Sequence, residues 1–346
     1  MISHETAGHS FQITVKPNGR TFSVQPNETI LAAGIRQGIN LLYGCKDGAC
    51  GVCKCKKISG NVTHLEHQSH ALSSEEEALG MVLSCCALAH SDVVLESRQV
   101  TTDGAFHVKK IPLRVISFKK VSADVMVLKL QMPAYDTFPY HAGQYLDVLL
   151  PNGVRRSYSM AHASHTLEGF LELHIRHTPN GKFSDYVFNI MKENDILRIE
   201  GPYGSFYLRE NSTKPMIFMA SGTGFAPIRA LMEHLQFTNI TRPVSLYWGG
   251  CRPADLYQDA WVKERLLDMP CLRYVPVVSN ALPEDGWTGR TGFVHLAVLE
   301  DVPDLSSHQV YACGAPVVVD SARTDYIRAG LPEDEFFADA FTPNRS

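Results

Sequence analysis

Cys45-Lys46-Asp47-Gly48-Ala49-Cys50-Gly51-Val52-Cys53, followed downstream by Leu83-Ser84-Cys85-Cys86, is the stretch from which the rest of the chain can be read. The spacing C-x4-C-x2-C with a distant fourth cysteine suits four thiolates closing on two irons. Three ligands from one loop require small residues between them, and Gly48, Ala49 and Gly51 meet that need. The glycines also leave backbone N–H groups free to bond to the sulfurs. A zinc site would favour paired C-x2-C elements, and only Cys50–Cys53 has that spacing. By spacing alone the fourth ligand is Cys85 or Cys86. Of the nine cysteines, Cys55 also falls in this cluster, while Cys251, Cys271 and Cys313 are scattered. Such clustering points to metal rather than disulfides.

Around the loop, the pattern is that of a small mixed domain. Phe11, Ile13 and Val15 alternate with polar residues, as do Phe22 and Val24 after Pro17-Asn18-Gly19, which predicts a hairpin. Glu28–Gln37 carries apolar residues at helical spacing, Ser74 and Glu77 predict a capping box, and Val93-Val94-Leu95 a closing strand. This segment resembles the plant-type ferredoxin domain, a β-grasp fold. In that family the last ligand follows a Leu-Ser/Thr pair, which implies a cluster set of Cys45, Cys50, Cys53 and Cys85. Cys55 and Cys86 are then packing residues. The expected domain is 10–103, with Thr101-Thr102-Asp103-Gly104 as linker.

From about 106 to 212 short strands follow one another, separated by turn residues, as in an antiparallel barrel with one helix at about 184–192. Arg156-Ser157-Tyr158-Ser159 ends one strand, and Gly181-Lys182-Phe183-Ser184 opens the helix after His174-Ile175-Arg176. A glycine lets the chain approach a phosphate, and a helix N-terminus offers unpaired N–H groups. Arg156 can neutralise the same pyrophosphate, Tyr158 can lie against a flat ring, and the Ser159 hydroxyl can reach a ring nitrogen. From 213 onward, short apolar strands at 216–220, 244–248, 273–278 and 310–313 alternate with helices at about 227–237, 256–268 and 316–329. That alternation predicts a doubly wound parallel sheet.

The order Arg-x-Tyr-Ser, Gly-x-x-Ser, Gly201-Pro202-Tyr203-Gly204 and then a glycine-rich strand–helix turn resembles the ferredoxin–NADP⁺ reductase superfamily over about residues 108–346. The resemblance implies an FAD-binding barrel at 108–212 and an NAD(P)-binding domain at 213–346. It places Arg156 and Ser184 on the pyrophosphate, Tyr158 against the isoalloxazine and Ser159 near N5. His174, Arg176, Gly181 and Phe183 belong to the same cradle.

Gly222-Thr223-Gly224-Phe225-Ala226-Pro227 is Gly-x-Gly-x-x-Pro, not the full dinucleotide fingerprint, and no acidic residue ends the next strand. The superfamily has this variant turn, so Gly222, Thr223, Gly224 and Pro227 are expected on the nicotinamide dinucleotide. In the same family a Cys-Gly-x-Pro, here Cys313-Gly314-Ala315-Pro316, sets the thiol beside the nicotinamide. Asp339-Ala340-Phe341 matches the acidic-x-aromatic ending, whose aromatic covers the flavin; here Thr342–Ser346 extends beyond it. Ser159, Cys313 and Phe341 are therefore the expected catalytic residues. At Val278-Ser279-Asn280, where NADP-specific relatives carry Ser-Arg, this chain has Asn280, which favours NADH. Arg252 and Arg290 are nearby in sequence and can compensate, so NADPH stays open.

The totals fit this reading. Two or three domains are expected from 346 residues. Net charge is −4, and each side of a cut at residue 105 carries −2 (8 basic against 10 acidic, then 24 against 26), so neither part is basic enough to suggest nucleic acid or anionic lipid. Neither a membrane span nor an export signal is evident, and the cytoplasm is the expected location. The expected function is an NAD(P)H-dependent oxidoreductase. NADH electrons would pass through FAD and a [2Fe–2S] cluster, at about −400 mV in plant-type proteins, to an acceptor protein. Oxygenase reductase components and the CDP-6-deoxy-glucoseen reductases share the arrangement, and the latter are the better match. The rival readings are a flavin reductase without a protein partner and a redox-sensing iron–sulfur protein.

Overall fold

The computed structural model describes residues 10–97, 106–166 and 169–341. They form two compact units, divided between His107 and Val108. The expected linker at 101–104, like the tail 342–346, lies outside the described residues.

In the first unit, β1 (Phe11–Lys16) and β2 (Arg20–Val24) make the expected antiparallel hairpin. Helix α1 (Ile30–Arg36) follows, capped by the Thr29 hydroxyl, which accepts from Ala32 N. After the cysteine loop come β3 (Lys54–Ser59), β4 (Val62–His64), α2 (Ser74–Ala78), β5 (Met81–Leu83), β6 (Ala87–Ala89) and β7 (Val93–Glu96). The main sheet runs β2-β1-β7-β3-β5, with β1 and β7 parallel at its centre. Ile13, Val15, Val93 and Leu95 face inward and are buried, as period-two alternation demands. The capping box is one residue earlier than expected. Ser73 is extended, so its hydroxyl accepts from Glu76 N while Glu76 reaches back to Ser73 N, and Ser74 is already helical. Glu77 is left to pair with His64.

In the second unit, β8 (Lys109–Lys120), β9 (Val125–Gln131), β10 (Tyr145–Leu149), β11 (Arg155–Ser159), β12 (Phe170–Arg176), α3 (Lys182–Asn189) and β13 (Ile196–Tyr203) build an antiparallel sheet of order β11-β10-β13-β8-β9-β12. A single bridge between Met160 and Leu173 joins its two edges and closes the barrel. Leu113, Val115, Leu128, Leu146, Leu173 and Ile199 fill its interior. Strand β13 was not among the expected elements, and it holds Glu200, Gly201 and Pro202, residue types that strands disfavour. Here Glu200 is buried and satisfied by Arg155, Lys110 and Tyr203.

The same unit continues through β14 (Met216–Ser221), α4 (Phe225–Phe237), β15 (Val244–Gly250), α5 (Asp259–Asp268), β16 (Leu272–Val278), β17 (Arg290–Thr291), α6 (Val294–Asp301), β18 (Gln309–Gly314), α7 (Pro316–Arg328) and β19 (Phe336–Ala340). All paired neighbours in the order β17-β16-β15-β14-β18-β19 are parallel. Met216–Ala220 is buried throughout, which is what helices on both faces of a sheet impose. Phe218 packs with α4 residues Ile228 and Leu231, while Met219 on the opposite face meets the Tyr326 hydroxyl of α7. Helix α6 and strand β19 are further elements not expected from the pattern, being short and next to polar segments. The chain order reverses at β14, which feeds β15 on one side while β18 lies on the other. That reversal is where open α/β sheets bind nucleotides, beyond the strand carboxyl ends.

Candidate functional site

The cysteine loop brings its sulfurs together. Cys53 and Cys85 are buried, with Sγ atoms 3.1 Å apart. Cys45 Sγ accepts from Ala49 N at 3.3 Å and Cys50 N at 3.2 Å, and Cys50 Sγ accepts from Cys45 N at 3.3 Å. The Cys45 thiol is held well below its ordinary acidity range, first by the Cys50 thiol and then by that of Cys85. Cys86 Sγ lies 3.6 Å from Cys85 Sγ, on the side of the Glu66 carbonyl. Of the two candidates for the fourth position, it is Cys85 that meets Cys45 and Cys53. Burial pushes the Cys55 thiol up to about 12, as fits a packing residue. Gly48 is left-handed at φ +75°, and a Cβ there would come within 2.7 Å of both Cys86 Sγ and His67 Cβ, so only glycine lets the loop wrap this closely.

Among the described residues no three His, Cys, Asp or Glu side chains surround a single metal-ion position. The fit to a [2Fe–2S] cluster rests instead on the loop itself. Its backbone N–H groups point at sulfur, and the softness of four thiolates suits iron–sulfur ligation.

In the barrel, β11 carries alternating partners. Arg155 pairs with Glu200, and with Asp147 at 3.4 Å, while Ser157 donates to Asp147 at 2.7 Å. Arg156 points the other way. Its guanidinium donates to the Arg155 carbonyl at 2.8 Å and meets no carboxylate within ion-pair distance among the described residues. Tyr158 is half-buried beside Phe183, ring centroids 5.3 Å apart. Gly181 is the N-cap of α3, and no side chain caps that end. An unpaired guanidinium, a half-buried aromatic face and an uncapped helix start fit the phosphates and ring of FAD.

Three expected members of the cradle are engaged elsewhere. The Ser184 hydroxyl lies 3.0 and 3.2 Å from the Thr178 and Gly181 carbonyls and accepts from Thr178 N, so it closes the turn. Phe183 is 1% exposed in the barrel core. His174 is buried, with Nδ1 2.8 Å from the Tyr257 hydroxyl and Nε2 3.1 Å from Glu172.

That last contact opens a polar bridge between the barrel and the parallel sheet. Glu172 also accepts from Arg229 of α4 at 2.6 Å, and Arg229 pairs with Glu233 at 3.2 Å. Burial would raise the Glu172 carboxyl, but His174 and Arg229 hold it down at about 2. Tyr257 stands edge-on to Trp248, and Trp248 donates from Nε1 to the Gly222 carbonyl at 3.0 Å. Arg176 is bound by Asp124 at 2.6 Å and lies against Gly222, where a Cβ would come within 2.7 Å of its Nη1. The end of β12 thus braces the glycine turn twice.

The turn Gly222–Gly224 is a short 3-10 helix leading into α4, with Thr223 buried and Pro227 in the first helical turn. A Cβ on Gly224 would sit 2.3 Å from the Cys313 carbonyl oxygen, so the turn presses directly on the end of β18. There Cys313 is fully buried and pairs in register with Asp339 of β19, as Gly314 does with Ala340. Burial first, and Asp339 second, push the Cys313 thiol well up, so it stays protonated. The Ser159 hydroxyl donates to Asp339 Oδ2 at 2.9 Å. Phe341 N donates to the Gly314 carbonyl at 2.8 Å, and the residue is 36% exposed. Asp339 thereby joins Ser159 to Cys313, while Gly224 packs on the Cys313 carbonyl and Phe341 bonds to Gly314; the sequence signalled Asp339 only through the acidic-x-aromatic ending. Tyr257, Trp248, Glu172 and Arg229 carry no motif and were not foreseen.

Known proteins resemble this chain along its length. The chain matches the 2Fe-2S iron-sulfur cluster binding domain over residues 13–90, the Oxidoreductase FAD-binding domain over 112–207 and the Oxidoreductase NAD-binding domain over 218–324. It is 42% identical to the CDP-6-deoxy-L-threo-D-glycero-4-hexulose-3-dehydrase reductase of Yersinia pseudotuberculosis, across 97% of this chain and all of that one. It is 34% identical to reductase component 1 of the Comamonas terephthalate 1,2-dioxygenase, covering 95% of this chain and 97% of that one. Among solved structures it resembles the Amycolatopsis reductase GcoB at 30% identity and a TM-score of 0.78, covering 96% and 99% of the two chains. No helix among the described residues is long and apolar enough to cross a membrane.

Proposed function

The chain belongs to the ferredoxin–NADP⁺ reductase superfamily, in the branch of iron–sulfur flavoprotein reductases with an N-terminal 2Fe-2S domain, and we propose that it supplies electrons from NADH to a dehydrase acting on a nucleotide-linked deoxyhexulose. The observation that carries the choice of acceptor is the 42% identity to a hexulose-3-dehydrase reductase along the full length of both chains. Bound FAD would supply the exchange between the two-electron hydride of NADH and the single electrons that a [2Fe–2S] cluster can hold.

The protein's own groups bind and position. Cys45, Cys50, Cys53 and Cys85 hold the cluster, and the loop N–H groups tune it. Arg156 and the open N-terminus of α3 take the flavin pyrophosphate, and Tyr158 lines the ring. Ser159 would lie near the flavin N5; because its hydrogen is committed to Asp339, its oxygen has a fixed orientation. Cys313 and Gly314 hold the nicotinamide edge, with the thiol neutral and water excluded. Phe341 would cover the flavin ring and give way to the nicotinamide. The Gly222–Gly224 turn, Thr223 and Pro227 receive the dinucleotide phosphates. The three working domains are 10–103, 108–212 and 213–346, and their site of action is the cytoplasm.

The test is anaerobic reconstitution with NADH and a purified CDP-hexulose 3-dehydrase. Dehydrase turnover that requires this protein supports the assignment; NADH oxidation with an inert dehydrase removes it. A second reading, an oxygenase reductase component, is favoured by the 34% identity to the terephthalate enzyme. Turnover of an aromatic dioxygenase in the same assay would select it.

A further inference from the structure

With nicotinamide at the β18 end and pyrophosphate at the Gly222–Gly224 turn, the adenosine half of the dinucleotide must extend over the carboxyl ends of β15 and β16. These two ends are tied together: Ser279 N donates to the Gly250 carbonyl and Asn280 N to the Cys251 carbonyl, both at 2.9 Å. Arg252 is the second residue past β15, in the position from which a cation would meet a ribose 2′-phosphate. It is not available. Its Nε and Nη2 donate to the two carboxylate oxygens of Asp285 at 2.7 and 2.6 Å, and Glu284 lies 3.7 Å away. Asp255 accepts from both Cys251 N and Arg252 N, adding a third carboxylate to the same corner. The other compensating cation, Arg290, is bound by Glu300 and by Asp301 at 2.7 Å. Asn280 is exposed and neutral.

We propose that Asp285 is a specificity-determining residue: its bidentate clamp on Arg252 withholds the guanidinium from a 2′-phosphate and so makes the site select NADH over NADPH. The inference deepens the NADH reading above and rests on it. A 2′-phosphate brings nearly two negative charges into a corner where three carboxylates surround one guanidinium, and it cannot displace a two-point Arg–carboxylate contact without leaving Asp285 unpaired. NADH brings only hydroxyls there.

The test compares wild type, D285N, R252Q and D285N/R252Q as holoenzymes. Two quantities are read: the NADPH:NADH ratio of kcat/KM, and calorimetric affinity for adenosine 2′,5′-bisphosphate relative to 5′-AMP. D285N is expected to raise both by about tenfold, the scale of one partly screened charge-assisted contact, and the double variant to lose the gain. R252Q alone should shift either ratio less than twofold, because the cation is already withheld. A D285N ratio within twofold of wild type, or a gain that survives in D285N/R252Q, overturns the clamp. Should D285N fail to retain FAD, a tenfold fall in either ratio for R252Q overturns it instead. A wild type that prefers NADPH refutes the NADH reading itself, whereas NADH preference with an inert D285N refutes only the role of Asp285.

Discussion

Ser159 and Asp339 are 180 positions apart, yet the Ser159 hydroxyl donates to Asp339 Oδ2 at 2.9 Å. The bond runs from the barrel to the last strand of the parallel sheet, and Asp339 is also the register partner of Cys313. One carboxylate therefore orients the hydroxyl proposed to face the flavin and adjoins the thiol proposed to face the nicotinamide. Hydride transfer depends on that alignment, since a small misplacement of reacting atoms costs far more than the contact itself.

Asp339→Ala should slow flavin reduction by NADH about 100-fold, the scale of a misplacement of about 1 Å between reacting groups, while FAD content is kept. Stopped-flow absorbance checks this. A rate within threefold of wild type would mean that Asp339 only joins two strands.

Cys50→Ser should abolish cluster absorption beyond the flavin bands yet leave NADH-to-ferricyanide activity, because that dye accepts from flavin directly. Cys86→Ser should keep the cluster, since its sulfur sits outside the group that Cys85 joins. Iron and sulfide analysis with visible spectra distinguishes the two; cluster loss in Cys86→Ser would reassign the fourth ligand.

Arg155→Ala and Arg156→Ala, adjacent in sequence, should act oppositely. Arg156 has no carboxylate partner among the described residues, so its loss should weaken FAD binding about 10–100-fold with little change in melting temperature of the apoprotein. Arg155 serves buried Glu200 and Asp147, so its loss should cost about 1–3 kcal/mol of stability, a figure reduced by its own partial exposure. Burial raises Glu200, but Arg155, Tyr203 and Lys110 hold it at about 2. Dialysis against measured flavin content, with calorimetry of the apoprotein, reads both effects.

Acid should destabilise the reductase unit before its carboxylates titrate. Burial holds His162 down to about 4, and lowers His174 as well, although Glu172 opposes this in both. A depressed folded value means that the unfolded chain takes up protons first. Stability from these histidines is thus full above about 6.5 and is lost as pH falls toward 4; on one group this amounts to about 3 kcal/mol. The carboxylate of Glu172 adds a later loss, below about 4.5 toward 2. His162→Gln should flatten the decline of melting temperature between pH 6.5 and 4, even if it starts lower. An unchanged slope would assign the effect to other groups.

Much of this was legible in residue order because it rests on local physics. Four thiolates at fixed spacing, a glycine that alone can wrap beside Cys86, strand alternation and strand–helix alternation are properties of neighbouring residues, and they specify three folded modules and their cofactors. The errors were local too. The capping box moved from Ser74 to Ser73 because either serine satisfies the pattern and only the backbone decides which is extended. Strand β13 was hidden because burying Glu200 makes sense only once Arg155 and Lys110 arrive from other strands.

What the linear chain could not specify was which side chain meets which across distance. The contact of Cys85 with Cys53, the pairing of Arg155 with Glu200, His174 turned into a polar bridge and Ser184 folded back on its own turn were each decided by packing. So was the clamp of Asp285 on Arg252, 33 residues earlier. The kind of chemistry follows from residue type and near spacing, which the chain carries by itself. The alignment and selectivity of that chemistry follow from directional contacts between remote residues, which exist only when the strands that bear them have come into register.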